Sequence, residues 1–151
     1  MPKPIISDTS CFIILAKIGQ FEILHQVYGE IITTPDIAKE YGDTLPEWVE
    51  IRFVNDKSKQ QLLEMHIDRG ESSAIALALE IPGSTLIVDD HKAREIAAKL
   101  GIVFTGTIGV IIKAKLLGII SSIKPLLQEI KKTNFRLSAE LELQALKQAG
   151  E

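Results

Sequence analysis

Asp8, Glu40, Glu71 and the adjacent pair Asp89-Asp90 are the residues whose types and positions suggest chemistry. Asp8 follows the short apolar run Ile5-Ile6 and precedes Thr9-Ser10, a turn that opens the apolar stretch Cys11 to Ala16. A strand that releases its chain at a carboxylate puts that group where ligands collect in an open parallel sheet. Asp89-Asp90 close Thr85-Leu86-Ile87-Val88 in the same way, and Glu71 stands in the first turn of a small-residue helix. Glu40 lies four residues after Asp36, on one face of a helix that follows a second apolar run, and Asp36 itself reads as a solvated acid. Acids gathered at one sheet edge repel one another unless a cation neutralises them. Carboxylate oxygens with no cysteine ligands among them suit a hard ion, Mg²⁺ or Mn²⁺. Such a centre activates water and steadies charge on a scissile phosphate.

Each acid also has a plainer role. Asp8 could cap the helix after it, although Thr9 and Ser10 are caps as well. One of Asp89 and Asp90 would cap the helix from His91, and Glu71 could answer the helix dipole, an effect below about 1 kcal/mol. Four coincident placements favour a shared site over four separate caps.

Strand and helix patterns alternate along the chain and supply the frame. Ile31-Ile32 reads as a second buried strand, and Thr34-Pro35-Asp36 as N-cap, first-turn proline and first-turn acid of a helix that Gly42 ends. Val49, Ile51 and Phe53 alternate as a strand would, Ser58 to His66 reads as a polar-faced helix, and Gly70-Glu71-Ser72-Ser73 opens a helix over Ala74 to Glu80. Ala93, Ile96, Ala97 and Leu100 keep the helical period, Ile102 to Phe104 is a last strand, and Ile108 to Leu117 an apolar helix after Thr105-Gly106-Thr107. Two more helices follow, around Ile123 to Ile130 and Ser138 to Ala149. The alternation predicts a single domain over residues 1–151 of class α/β, a three-layer α/β/α sandwich around a mainly parallel sheet.

Apolar residues make up 46% of the 151 and charged ones 25%, an ordinary globular balance. No apolar run is long enough for a bilayer and the N-terminus lacks a signal-peptide plan, so no membrane partner and a cytoplasmic address are expected. The single cysteine, Cys11, excludes an internal disulfide. A net charge of −3 argues against non-specific binding of a polyanion, so a nucleic-acid partner needs a local basic face or a bridging metal. Lys92, Arg94, Lys99, Lys113 and Lys115 are the candidates for that face. His25, His66 and His91 show no metal spacing, and Trp48 reads as an anchor beside Pro46.

The acids and their order resemble the PIN-domain family. The resemblance lies in Ile6-Ser7-Asp8-Thr9-Ser10, in Glu40, in Gly70-Glu71-Ser72-Ser73-Ala74 and in Leu86-Ile87-Val88-Asp89-Asp90. Gly106-Thr107-Ile108-Gly109-Val110 and Asn134-Phe135-Arg136-Leu137-Ser138 are similar to a prokaryotic branch of that family. The resemblance implies a metal-dependent ribonuclease, often the toxin of a toxin–antitoxin pair (the VapC type) and often a homodimer. RNA is then the substrate, with an antitoxin protein as partner where the toxin role holds. Asp8, Glu71 and Asp90 would be the core ligands, Asp89 the alternative to Asp90, and Glu40 a contributor directly or through water. Ser10 and Thr107 would position water or phosphate.

Position 71 is Glu where many members carry Asp, and Val88 stands where toxin members carry Thr. A non-catalytic binding module on the same fold is therefore the alternative. A haloacid-dehalogenase-like phosphatase is weaker, because Ser10 occupies the place of its general acid.

Overall fold

Five short parallel strands build the sheet. The computed structural model describes residues 3–151, with β1 (Ile5–Ser7), β2 (Ile31–Thr33), β3 (Val49–Ile51), β4 (Thr85–Ile87) and β5 (Val103–Thr105) in the order β3-β2-β1-β4-β5. Ile5, Ile6, Ile31, Ile32, Leu86 and Ile87 are all buried, as expected of central parallel strands covered on both faces. The helices are α1 (Thr9–Lys17), α2 (Ile23–Tyr28), α3 (Pro35–Tyr41), α4 (Lys57–Leu63), α5 (Arg69–Glu80), α6 (His91–Lys99), α7 (Thr107–Leu116), α8 (Lys124–Lys131) and α9 (Ala139–Gln148). The result is the expected three-layer α/β/α arrangement, with every strand pair parallel.

Strand order decides where the site sits. β1 pairs with both β2 and β4, so the chain grows outward in one direction from β1 and then reverses to the other side. A crevice opens at the carboxyl ends of two strands whose connections leave in opposite directions. Asp8 stands one residue past β1 and Asp89 two past β4, at that switch point. The register sets Ser7 opposite Ile87.

Several expected boundaries move. The cap of α1 is Asp8 itself, whose side chain accepts from the Cys11 N–H, so Thr9 and Ser10 lie inside the helix. Helix α5 begins at Arg69 with Asp68 as its cap, one turn earlier than the Ala-rich run suggests. Strand β4 ends at Ile87, with Val88 already beyond it. Val49 is buried, but Ile51 and Phe53 are 47% and 71% exposed, because β3 is a short edge strand that ends at Ile51 and Phe53 lies beyond it. Asp36 is also engaged: it accepts from the Gln60 side chain at 2.8 Å.

An aromatic cluster locks α1, the segment before α2 and α3 together. Phe12 is fully buried, with Phe21 stacked at 5.5 Å between ring centroids and Tyr41 at 5.6 Å. Trp48 packs on Phe21 and stacks on His25 at 5.0 Å, which makes it the anchor its position beside Pro46 suggests. Each such ring contributes about 1.5–3 kcal/mol by burial when fully covered. Cys11 is buried, and burial pushes its thiol well above the usual range, so it behaves as a small core hydrophobe.

Candidate active site

Asp8 is the centre of the crevice and is 2% exposed. One oxygen accepts from the Cys11 N–H at 3.0 Å, the other from the Asp89 N–H at 3.1 Å. The first bond caps α1, and the second ties the end of β1 to the chain leaving β4. Burial and then the charge of Asp89 push the Asp8 carboxyl up to about 8, while the two N–H groups and Arg94 pull it back.

Beneath it lies a seam of buried hydroxyls that the sequence analysis did not single out. The Ser7 hydroxyl donates to the Asp8 carbonyl at 3.0 Å and the Thr33 hydroxyl to the Ser7 carbonyl at 3.1 Å. Thr34 and Ser73 share a hydrogen bond of 2.6 Å, which fastens the start of α3 to α5. Each buried hydroxyl is thereby satisfied, and the strand ends are fixed relative to the helices that carry the other acids.

Glu71 sits half-buried in the first turn of α5, where its backbone N–H donates to the Asp68 cap at 3.3 Å. Its carboxyl is pushed up to about 9, by desolvation first, then by a hydrogen bond with Asp68 and by the charges of Asp68, Asp90 and Asp8. Glu40 reaches in from α3 and accepts from the Thr9 hydroxyl. Gly70 makes this approach possible, since a Cβ there would stand 2.8 Å from the Glu40 Oε1. Asp8, Glu40, Asp68, Glu71 and Ser10 all line one cleft of about 410 Å³, together with Lys17, Asn134 and Phe135.

Asp89, Asp90 and Thr107 stand at its edge and do not line that cleft. Asp90 caps α6, one oxygen accepting from the Ala93 N–H at 2.9 Å. Asp89 accepts from the Thr107 N–H at 2.8 Å and from the Thr107 hydroxyl at 2.5 Å. Thr107 is fully buried, so both its donors act on Asp89. Arg94 holds the Val88 carbonyl at 2.8 Å with its Nε and lies over the Phe104 ring at 5.3 Å. Gly106 leaves room for this arrangement, because a Cβ would stand 2.8 Å from the Asp89 Oδ1 and closer still to the Arg94 guanidinium and would displace both side chains.

The donors fit a hard divalent ion in kind, since every one is a carboxylate or hydroxyl oxygen and two of the carboxyls are held against their own ionisation. They form a neighbourhood and not a finished cage. Among the described residues no three His, Cys, Asp or Glu side chains stand close enough to hold a metal ion as they are.

The expected basic face is largely engaged elsewhere. Lys113 lies over the Tyr28 ring at 4.9 Å, Lys115 donates to the Ala149 carbonyl at 3.0 Å, and Arg94 serves Val88. His91 turns to Glu95 at 2.7 Å. Asp68, Lys17 and the placement of Asn134 and Phe135 are what sequence reasoning missed. The spacing of Asp68, three residues before Glu71, is a capping signal that could have found the first.

The family model DUF3368, described as a PIN domain, matches residues 4–151. No curated protein and no solved structure matches the chain significantly. Among the described residues no helix is long and apolar enough to cross a membrane.

Proposed function

We propose, since this chain belongs to the PIN-domain family, that the crevice is the active centre of an Mg²⁺- or Mn²⁺-dependent endoribonuclease. One observation carries the reading: Asp8 and Glu71 converge with Glu40 and Asp68 on one cleft, where burial first and neighbouring acids second raise them to about 8 and about 9, so that a divalent cation would be what holds them ionised together. Asp8 and Glu71 would hold the ion, with Asp90 through the oxygen its cap leaves free, or Asp89 in its place. Glu40, kept in reach by Thr9, would contribute directly or through water. Ser10 lines the cleft and would orient a phosphate or water, while Thr107 orients Asp89. The chemistry a bound divalent ion supplies is a water of lowered pKa as nucleophile and countercharge for the scissile phosphate.

Cleavage of a single-stranded RNA with Mn²⁺ present, lost in Asp8→Asn and in Glu71→Gln, tests the reading. Cleavage retained by Asp8→Asn overturns it.

The absence of a finished donor cage among the described residues favours a second reading, a PIN-fold module that binds without cutting. Calorimetric titration with Mn²⁺ separates the two, because the nuclease requires binding that Asp8→Asn weakens. The toxin role, an antitoxin partner and a homodimer are supported by the family alone. Co-purification with a small partner protein tests the first two, and the mass in solution tests the third.

A further inference from the structure

The acidic cleft does not end at the acids. A second hollow, of about 450 Å³, shares Lys17 and Asn134 with it and continues past Thr133 to Lys132. The two together make one groove that is acidic at the switch point and carries exposed ammonium groups beyond it. Lys17, in the last turn of α1, has no carboxylate within 4 Å among the described residues. Lys132 pairs with Glu129 at 2.8 Å, and with side chains 75% and 51% exposed that pair is readily exchanged for another anion. Phe135 is half-buried against the core and lines the acidic cleft alongside Lys17 and Asn134. Thr133 fixes the turn that presents it, with the Phe135 N–H donating to the Thr133 hydroxyl at 3.1 Å.

Resting on the ribonuclease reading above, we propose that this groove seats the RNA strand that leads away from the cleaved bond. Lys17 and Lys132 stand against its phosphates, and Phe135 stands against a base. Ammonium groups along a groove with one aromatic face form the usual pattern for an unpaired strand. A duplex offers no free base to Phe135. The arrangement also answers the net charge of −3: the polyanion is met by local cations in the groove, although the chain as a whole is acidic. Glu129 is the built-in competitor, because it holds Lys132 until a phosphate displaces it.

The test measures binding of a fluorescein-labelled oligouridylate by anisotropy, without divalent ion so that nothing is cut, between roughly 50 and 200 mM salt. Each phosphate contact contributes about 0.7 to the slope of log affinity against log salt for a single strand. Lys17→Met and Lys132→Met should each lower that slope by about 0.7, and the double variant by about 1.4. Phe135→Leu should weaken binding roughly tenfold with the slope unchanged, the mark of lost stacking. Glu129→Gln should tighten binding. Lys57→Met, in a separate hollow beside Asp36, should change nothing. Thermal unfolding confirms that each variant is folded.

Bound RNA with wild-type slopes in both lysine variants overturns the proposal. So does an oligoglutamate that binds with the same lysine dependence while RNA does not, which would make the occupant an acidic peptide. Binding that depends on both lysines, with no cutting when Mn²⁺ is restored, supports the groove and removes the ribonuclease reading. A chain that neither binds nor cuts removes both.

Discussion

The Asp8 carboxylate accepts from the backbone N–H of Asp89 at 3.1 Å, a bond that spans 81 positions and joins the ends of two neighbouring strands. It makes the acidic centre part of the sheet's own framework. Whatever happens to the charge on Asp8 is therefore felt by the fold.

Stability should fall as pH rises. Asp8 and Glu71 are raised from ordinary values of 3.8 and 4.5 to about 8 and about 9. Between those limits the native chain keeps protons that the unfolded chain has released. The slope of unfolding free energy with pH is then negative, and stability is lost from about pH 4 up to about pH 9. Thermal unfolding at a series of pH values measures this. Added Mn²⁺ should raise Tm more at pH 8 than at pH 5, because only the ionised acids bind it.

Asp8→Asn should remove that metal-induced rise in Tm. As a proposed direct ligand, Asp8 should cost more Mn²⁺ affinity than the roughly 10–100-fold typical of a residue that only supports one. The metal-free variant should also lose the share of the pH dependence between pH 5 and 8 that Asp8 contributes and keep the share of Glu71. Calorimetry and thermal melts at two pH values check both outcomes.

Thr107→Val removes the hydroxyl donor to Asp89 and keeps the volume and the backbone N–H bond. A hydrogen bond to a charged group contributes about 1.5–3 kcal/mol, so urea unfolding of the metal-free protein should show a loss in that range. If Asp89 takes part in holding the ion, Mn²⁺ affinity should fall about 10–100-fold as well.

Gly70→Ala separates site from fold. The added Cβ would meet Glu40 Oε1, the far end of a flexible side chain that can swing away. Alanine favours a helix over glycine by about 1 kcal/mol, so stability should hold or rise slightly. Cleavage of RNA should nonetheless fall, because Glu40 is displaced from Thr9. Unchanged cleavage would remove Glu40 from the proposed centre.

The acids at the strand ends were legible because a buried strand followed by a helix start reveals both its direction and its tip. That placed Asp8 and the Asp89-Asp90 pair at strand ends, but did not show which of the pair bonds back to Asp8 through its N–H and which caps α6. The first-turn place of Glu71 in α5 was legible too, while the close packing of Gly70 under Glu40 depends on how α3 and α5 approach and leaves no mark in the sequence. The exposure of Ile51 and Phe53 was illegible for a different reason: alternation does not show where a strand stops or that it lies at the edge of the sheet. The basic face failed in the same way. Lys113 and Lys115 lie on a helix whose contacts with Tyr28 and the C-terminal residues depend on packing angles that no periodicity records. Lys17, the cation that does line the cleft, was not among the candidates, because its place in the last turn of α1 does not show which way that helix end faces.

Each strand pairs over three residues at most, and the Ser7–Ile87 rung lies directly under the bond from Asp89 to Asp8. A misaligned β1–β4 pairing, even by a single position, would turn the two carboxylates toward opposite faces. Folding thus doubles as quality control, because a chain that closes its core in the wrong alignment cannot also assemble the proposed centre.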